Sequence, residues 1–193
     1  MNRNLLGVVV CGGQSKRMGS DKGLLPVNNK TWAEHLVEKL ERTGIEVIVS
    51  INVHQQQEYK KLFAEKNLVV DGFDIGGPMN GLLSVHGKLS EMDILLIACD
   101  MIEMEESLLK NLIAAYEDEK SFDFYAYEIE GVMQPFCAIY RAGALKRLLQ
   151  RLEQQTLGSS SLRYTLEQGN TQKLTSSCSL SFINYNTLGD RRK

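Results

Sequence analysis

The sequence predicts an α/β fold, a three-layer sandwich in which helices cover both faces of a mostly parallel central sheet. Three observations predict it. Short apolar runs rich in β-branched residues, at Leu5–Val10, 45–51, Leu68–Val70 and 93–99, have the unbroken hydrophobicity of strands buried on both faces. Segments of helical period separate these runs. The runs also stop on small or polar residues, namely Cys11-Gly12-Gly13, Asn52, Asp71 and Asp100. Parallel sheets bind ligands beyond such carboxyl ends, so four of them point to one shared rim.

Taken in chain order, Leu5–Val10 ends at a double glycine and reads as a central strand. Thr31 and Glu34 form a capping box for a helix whose apolar face is Trp32, Leu36, Val37 and Leu40, with Gly44 as its stop. Residues 45–51 give a second strand, 55–66 a polar, exposed helix, and Leu68–Val70 a third strand. Residues 72–78 are glycine-rich and closed by Pro78, as befits a loop, and 81–89 form a helix. The most apolar strand, 93–99, runs into Asp100. Leu108, Leu109, Leu112, Ile113 and Tyr116 then mark a helix, followed by strands at 122–127 and 135–140 around a turn at Glu130-Gly131. Leu145, Leu148, Leu149 and Leu152 define another amphipathic helix. A helix at Leu162–Gln168 and a late strand at 180–184 complete the expectation.

A chain of 193 residues fits one domain, 1–193. At this length roughly 70% of the unfolded surface can be buried, so the core needs no disulfide or metal staple. The 22 basic and 24 acidic residues leave a net charge of −2. That argues against the broad basic surface on which bulk nucleic-acid binding relies, though not against one small basic pocket. Cys11, Cys99, Cys137 and Cys178 are far apart and form no Cys-x-x-Cys pair, which argues against a zinc site or redox dithiol. The first apolar run is too short for a signal peptide, and no run approaches the roughly 20 apolar residues that span a bilayer. The expectation is a cytoplasmic protein with no membrane partner.

Residues 11–22 carry the chemistry. Gly12, Gly13 and Gly19 let the backbone approach a ligand and turn its N–H groups toward an anion, while Lys16, Arg17 and Lys22 supply cations within the same stretch. Arginine grips phosphate oxygens through two donors and lysine acts as a compact charge. A nucleoside triphosphate needs this combination. Neither a Walker A loop nor a dinucleotide fingerprint fits the spacing.

The stretch Gly12-Gly13-Gln14-Ser15-Lys16-Arg17-Met18-Gly19-Ser20-Asp21-Lys22 resembles the signature G-G-x-S-x-R-M-G-x-D-K of the molybdenum cofactor guanylyltransferase family, at every specified position. Further matches follow in family order: Gly77-Pro78-Met79-Asn80-Gly81, Ala98-Cys99-Asp100-Met101, Gln134-Pro135 and Asn184-Tyr185-Asn186-Thr187. The resemblance implies a Rossmann-like fold of the nucleotide-diphospho-sugar transferase type. It implies transfer of GMP from GTP to the terminal phosphate of molybdopterin, with Mg²⁺ required and pyrophosphate released. Residues 1–100 would hold the nucleotide and 101–193 the acceptor. By the same resemblance Val10, Cys11, Gly12, Gly13 and Asp71 would line the nucleotide pocket, and Arg17 and Lys22 would meet phosphates; Asn52 joins the pocket by its strand-end position, two residues past the family's asparagine. Asp100 would hold magnesium, and Gln134, Asn184 and Asn186 would face the acceptor. Maturation proteins of molybdoenzymes are the implied protein partners.

Elementary chemistry is compatible with these assignments. The acceptor phosphate attacks the α-phosphorus, so no protein nucleophile is required and catalysis is positioning plus charge stabilisation. A hard cation takes one or two carboxylates plus phosphate oxygens, and Asp100 at a strand end suits that role; its alternative is to cap the helix that follows. Asp71 alternatively starts the turn into Gly72. At the position where the family often has asparagine this chain has Ser50, and at the family's proline after Cys99-Asp100-Met101 it has Ile102. His35, His54 and His86 are expected in core or surface roles, and Met101 and Met104 in packing. Two other functions compete: a cytidylyltransferase on the same acceptor, and a non-catalytic nucleotide-binding accessory protein. Gly12-Gly13 resembles the guanine branch more than the cytidine branch.

Overall fold

The computed structural model describes residues 4–12, 21–176 and 180–185. Along the chain β1 (Leu5–Val10) is followed by a short ribbon, β2 (Pro26–Val27) with β3 (Lys30–Thr31), and then by α1 (Trp32–Glu41), β4 (Glu46–Ile51) and α2 (Gln56–Leu62). Next come β5 (Leu68–Val70), α3 (Pro78–Lys88), β6 (Asp93–Ala98) and α4 (Glu106–Asp118). The hairpin β7 (Phe124–Ile129) and β8 (Val132–Tyr140), helices α5 (Ala142–Glu153) and α6 (Leu162–Gln168), and β9 (Thr171–Thr175) complete the described elements.

Seven strands form one sheet in the order β5-β4-β1-β6-β8-β7-β9. β1 pairs in parallel with β4 on one side and β6 on the other, with Val10 opposite both Ser50 and Ala98. The chain moves outward from β1 through β4 to β5, then crosses back over α3 to β6. That reversal opens a crevice at the carboxyl ends flanking β1, where doubly wound sheets bind ligands. β8 runs against both β6 and β7, while β7 and β9 pair in parallel, so the sheet is mostly parallel with one reversed strand.

Alternation along the strands divides the core in two. Leu5, Val9, Val47, Val49, Leu95 and Ile97 pack with α1 and α4. Leu6, Val8, Ile48, Ile94 and Leu96 pack with α3, α5 and α6 on the opposite face. Burying both faces explains why the central strands read as continuous apolar runs. Thr31 and Glu34 make the expected reciprocal cap at the start of α1. A third, smaller cluster joins Val27, Trp32, Ile102 and Tyr185 beneath the rim.

Several boundaries differ from expectation for identifiable reasons. Gly44, at φ +84°, turns the chain two residues after the cap of α1 rather than at it. The helix expected over 55–66 ends at Leu62, because Phe63 is extended. α3 starts at Pro78 rather than Gly81: proline is pre-shaped for the first helical turn, and Gly77 precedes it at φ +80°. The turn Glu130-Gly131 has positive φ at both residues, the form that matches strand twist. Pro135 lies within β8 where the register with β7 shifts, a place that does not need its missing N–H. The strand expected at 180–184 is instead a single turn, Leu180–Phe182, with Ser181 buried and bonded to the Glu103 carbonyl while Leu180 faces solvent. Polar β9 takes the sheet edge instead.

Candidate active site

The rim is assembled by strand pairing carried one residue past each strand. The N–H groups of Cys11 and Gly12 donate to the Ser50 carbonyl at 2.8 and 3.1 Å, and Asp71 N–H donates to the Ile51 carbonyl at 2.8 Å. These bonds bring Gly12 against Asp71. A Cβ on Gly12 would lie 2.6 Å from Asp71 Oδ2, so the carboxylate occupies the space a side chain would need. Ser50 Oγ donates to Asp71 Oδ1 at 3.0 Å. From α3, a Cβ on Gly81 would meet Ser50 Oγ at 2.4 Å. Both glycines are therefore required for close approach. Burial pushes the Asp71 carboxyl above its ordinary pKa, with the Ser50 hydrogen bond opposing.

The loop leading into α3 is fastened by the matched segment 77–81 and its neighbour Ser84. Asn80 accepts from Phe73 N–H and donates to the carbonyls of Phe73 and Ile75, while Ser84 Oγ accepts from Gly72 N–H. This positions the backbone directly after Asp71.

Across the crevice, Lys22 Nζ donates to Asp100 Oδ2 at 3.0 Å, with the two side chains 21% and 15% exposed. The end of the glycine-rich segment and the end of the most apolar strand thus meet. The other carboxylate oxygen, Asp100 Oδ1, is buried with no hydrogen-bond partner among the described residues. Asp100 does not cap the next helix, since the cap position of α4 is Glu105. Its carbonyl accepts from Tyr185 N–H, which draws the late turn beside it. The loop after Asp100 is held by α1: Lys39 Nζ donates to the carbonyls of Ile102 and Met104 at 2.7 and 2.9 Å, and His35 Nε2 lies 3.2 Å from the Ile102 carbonyl. Ile102, where the family has proline, is itself buried beside Trp32. The loop is tied down without the ring.

Asp21 lies at the base of the same segment. It accepts from Gly23 N–H at 3.0 Å, Gln55 Nε2 at 2.6 Å and the Tyr59 hydroxyl at 3.1 Å. Burial pushes its carboxyl above the ordinary range, against those hydrogen bonds.

The remaining candidate positions separate as follows. The Val10 side chain is buried in the second core, and the Cys11 side chain in the first. Asn52 reaches the rim, but its side-chain oxygen accepts from His54 N–H at 2.9 Å and caps the short turn Val53–Gln55. Ile97 pairs with Cys137, so Gln134 lies past the carboxyl end of β6, on the side of Asp100; its Nε2 donates to the Val132 carbonyl. Asn184 is exposed next to Tyr185. Gly13, Arg17 and Asn186 lie outside the described residues. Met101 and Met104 pack in the first core, as expected, and His86 is buried. Ser50, Gln55 and Tyr59 were not singled out as rim ligands from sequence. Asn52-x-x-Gln55 has the spacing of a capping box, a signal that places Gln55 against the strand end.

Among the described residues no group of three or more His, Cys, Asp or Glu side chains gathers in one place, and no helix is long and apolar enough to cross a membrane.

Known proteins share this fold. The molybdenum cofactor guanylyltransferase of Haemophilus influenzae is 28% identical over 204 residues, covering 100% of this chain and 98% of that protein. The crystal structure of molybdopterin-guanine dinucleotide biosynthesis protein A from Archaeoglobus fulgidus superposes with a TM-score of 0.75 at 19% identity, covering 97% of this chain and 95% of the other. A nucleotidyl transferase from Methanothermobacter gives a TM-score of 0.76 at 19% identity over 98% and 95% of the two chains. A family model described as MobA-like NTP transferase domain matches residues 7–171. The chain belongs to the MobA-like NTP transferase family and is a nucleotidyltransferase.

Proposed function

We propose that this enzyme transfers GMP from GTP to the terminal phosphate of a molybdopterin-type acceptor and releases pyrophosphate. The observation that carries the reading is the Lys22–Asp100 pair across the crevice beside β1. It holds together one cation suited to phosphate and one carboxylate suited to a metal. The Haemophilus relative, matched over the full chain, supports guanine and the molybdenum cofactor as the substrate class.

The chemistry needs no nucleophile from the protein. An oxygen of the acceptor phosphate forms a bond to the α-phosphorus of GTP as the bond to the β-phosphate oxygen breaks, and pyrophosphate leaves. Lys22 offers its ammonium to phosphate oxygens, and its contact with Asp100 marks where that positive charge sits. Gly12 keeps the backbone bare where the polyphosphate approaches. The nucleoside lies toward Gly12, Asn52 and Asp71, and Arg17 adds a second phosphate contact.

Triphosphate brought beside Asp100 and Asp71 would face two carboxylates, which repel it unless a cation intervenes. The unpartnered Asp100 Oδ1 fits a hard divalent ion such as Mg²⁺, whose preferred donors are carboxylate and phosphate oxygens. When bound, such an ion supplies neutralisation of the phosphate charge. In this reading the strands up to β6 hold the nucleotide, while Gln134, Asn184 and Asn186 border the acceptor.

Pyrophosphate release from purified protein with molybdopterin, Mg²⁺ and each nucleoside triphosphate tests the proposal. GTP-selective release is expected. CTP-selective release identifies a cytidylyltransferase, and binding without release identifies an accessory protein.

Asp71 yields a prediction with opposite signs for stability and function. Its pKa is raised in the folded state, so folding gains stability as pH falls through that raised value toward the unfolded one, and ionised Asp71 opposes folding at neutral pH. Asp71→Asn should therefore raise the melting temperature at pH 7 while weakening nucleotide binding. Calorimetry and a GTP titration measure the two; a lower melting temperature would remove burial as the governing term.

A further inference from the structure

We infer that Gln55, which belongs to neither the glycine-rich segment nor the carboxylate pair, is a positioning residue for nucleotide binding: its one amide ties the end of β1 to the residues that present Lys22. Gln55 Nε2 donates to the Cys11 carbonyl at 3.0 Å and to Asp21 Oδ2 at 2.6 Å. Its Oε1 accepts from Asn52 N–H at 2.8 Å. The orientation of the amide is fixed by its partners, because a carbonyl and a carboxylate accept and a backbone N–H donates. Cys11 and Asp21, both distant in sequence from Gln55, therefore meet on one side chain that also serves the local cap at Asn52.

A capping role accounts for only half of this. The cap on the turn Val53–Gln55 uses Oε1 alone and requires no partner for Nε2. Instead Nε2 bridges the two sides of the glycine-rich segment. Asp21, so held, is further fixed by the Tyr59 hydroxyl and Gly23 N–H. The next residue, Lys22, reaches across to Asp100. Gln55 thus sets the distance between the bare backbone at Gly12 and the Lys22 ammonium, the two groups between which a polyphosphate lies in the proposed reaction. The inference rests on that reading for its functional part, while the clamp itself rests on the hydrogen bonds.

Two variants test it. Gln55→Met keeps length and helix propensity and removes all three hydrogen bonds. Gln55→Glu keeps the acceptor for Asn52 but sets a second carboxylate against Asp21 and the Cys11 carbonyl. With GTP as the varied substrate, KM is expected to rise about tenfold in Gln55→Met, the scale of one charged hydrogen bond, and further in Gln55→Glu. kcat should change far less when measured well below the melting temperature, which should itself fall in Gln55→Met because the Asn52 N–H and the Cys11 carbonyl lose their partner. Wild-type KM in both variants, or a fall in kcat that merely follows lost stability, would overturn the inference. Hydrogen exchange on the ligand-free protein reads the clamp without turnover: the Gly23 amide, bonded to Asp21, should exchange about tenfold faster in Gln55→Met. Unchanged exchange would overturn the clamp. Wild-type protein that releases no pyrophosphate with any triphosphate would instead overturn the proposed reaction, leaving the exchange result to decide Gln55.

Discussion

Asp100→Asn is expected to lower turnover by about 10²–10³-fold, the usual effect of removing one group that stabilises charge in the reaction. The fold should survive. Asp100 contributes to it through its backbone, by accepting from Tyr185 N–H, and asparagine keeps that contact. What is lost is the negative charge 3.0 Å from Lys22 and the second carboxylate oxygen, Oδ1, which has no partner among the described residues. Lys22→Met should cause a comparable loss, and the double variant should fall well short of the product of the two, since the residues act as a unit. Steady-state kinetics beside thermal denaturation decides the matter. Wild-type turnover in Asp100→Asn would remove this carboxylate from the catalytic assignment.

Gly23→Ala is expected to destabilise the protein by about 1–3 kcal/mol, the range for overpacking a filled site. The added methyl would come 2.1 Å from the Tyr59 hydroxyl and 3.2 Å from Cys11 Sγ. Tyr59 is fully buried and bonded to Asp21, so its ring cannot swing aside without breaking the base of the glycine-rich segment. Gly76→Ala supplies the contrast. Nothing lies within 4 Å of a Cβ there and its backbone is ordinary, so the change should stay within about 0.5 kcal/mol. Urea denaturation of the two variants tests the packing account, which fails if their midpoints coincide.

The elements that organise this molecule are largely written in local pattern. β1, β4, β5 and β6 are readable because both faces are buried, which leaves no polar interruption. α1 announces its start through Thr31 and Glu34, and the β7–β8 turn through Glu130-Gly131. β9 escaped notice because Thr171–Thr175 is a polar edge strand whose pairing with β7 is a tertiary choice. The late turn at Leu180–Phe182 misleads for the converse reason: its alternation serves one buried serine rather than a sheet.

The site was legible to the same extent. Lys22 and Asp100 could be picked out by residue type, and Asp71 by its strand-end position, but their neighbours could not. Gln55 and Tyr59 sit at the start of a helix that looks like solvated surface, and only the fold reveals that both reach Asp21. Lys39 and His35 look like exposed positions of an amphipathic helix, yet they grip the Ile102 carbonyl. Asn52 shows the limit from the other side. Its place at the rim was evident, whereas the use of its oxygen in a local cap depends on the turn the chain takes next.

The third cluster has a practical corollary. The chain contains a single tryptophan, and Trp32 is wholly enclosed there in one cluster with the ribbon residue Val27, Ile102 and Tyr185, its indole N–H unpartnered among the described residues. Val27 and Ile102 belong to the two stretches that follow Lys22 and Asp100, and Tyr185 donates its N–H to the Asp100 carbonyl. Indole emission shifts with nearby polarity and packing, so the molecule carries an internal optical gauge of its own crevice. A ligand that shifts either stretch is expected to change the emission of this one indole, selectively excited, in the unlabelled protein.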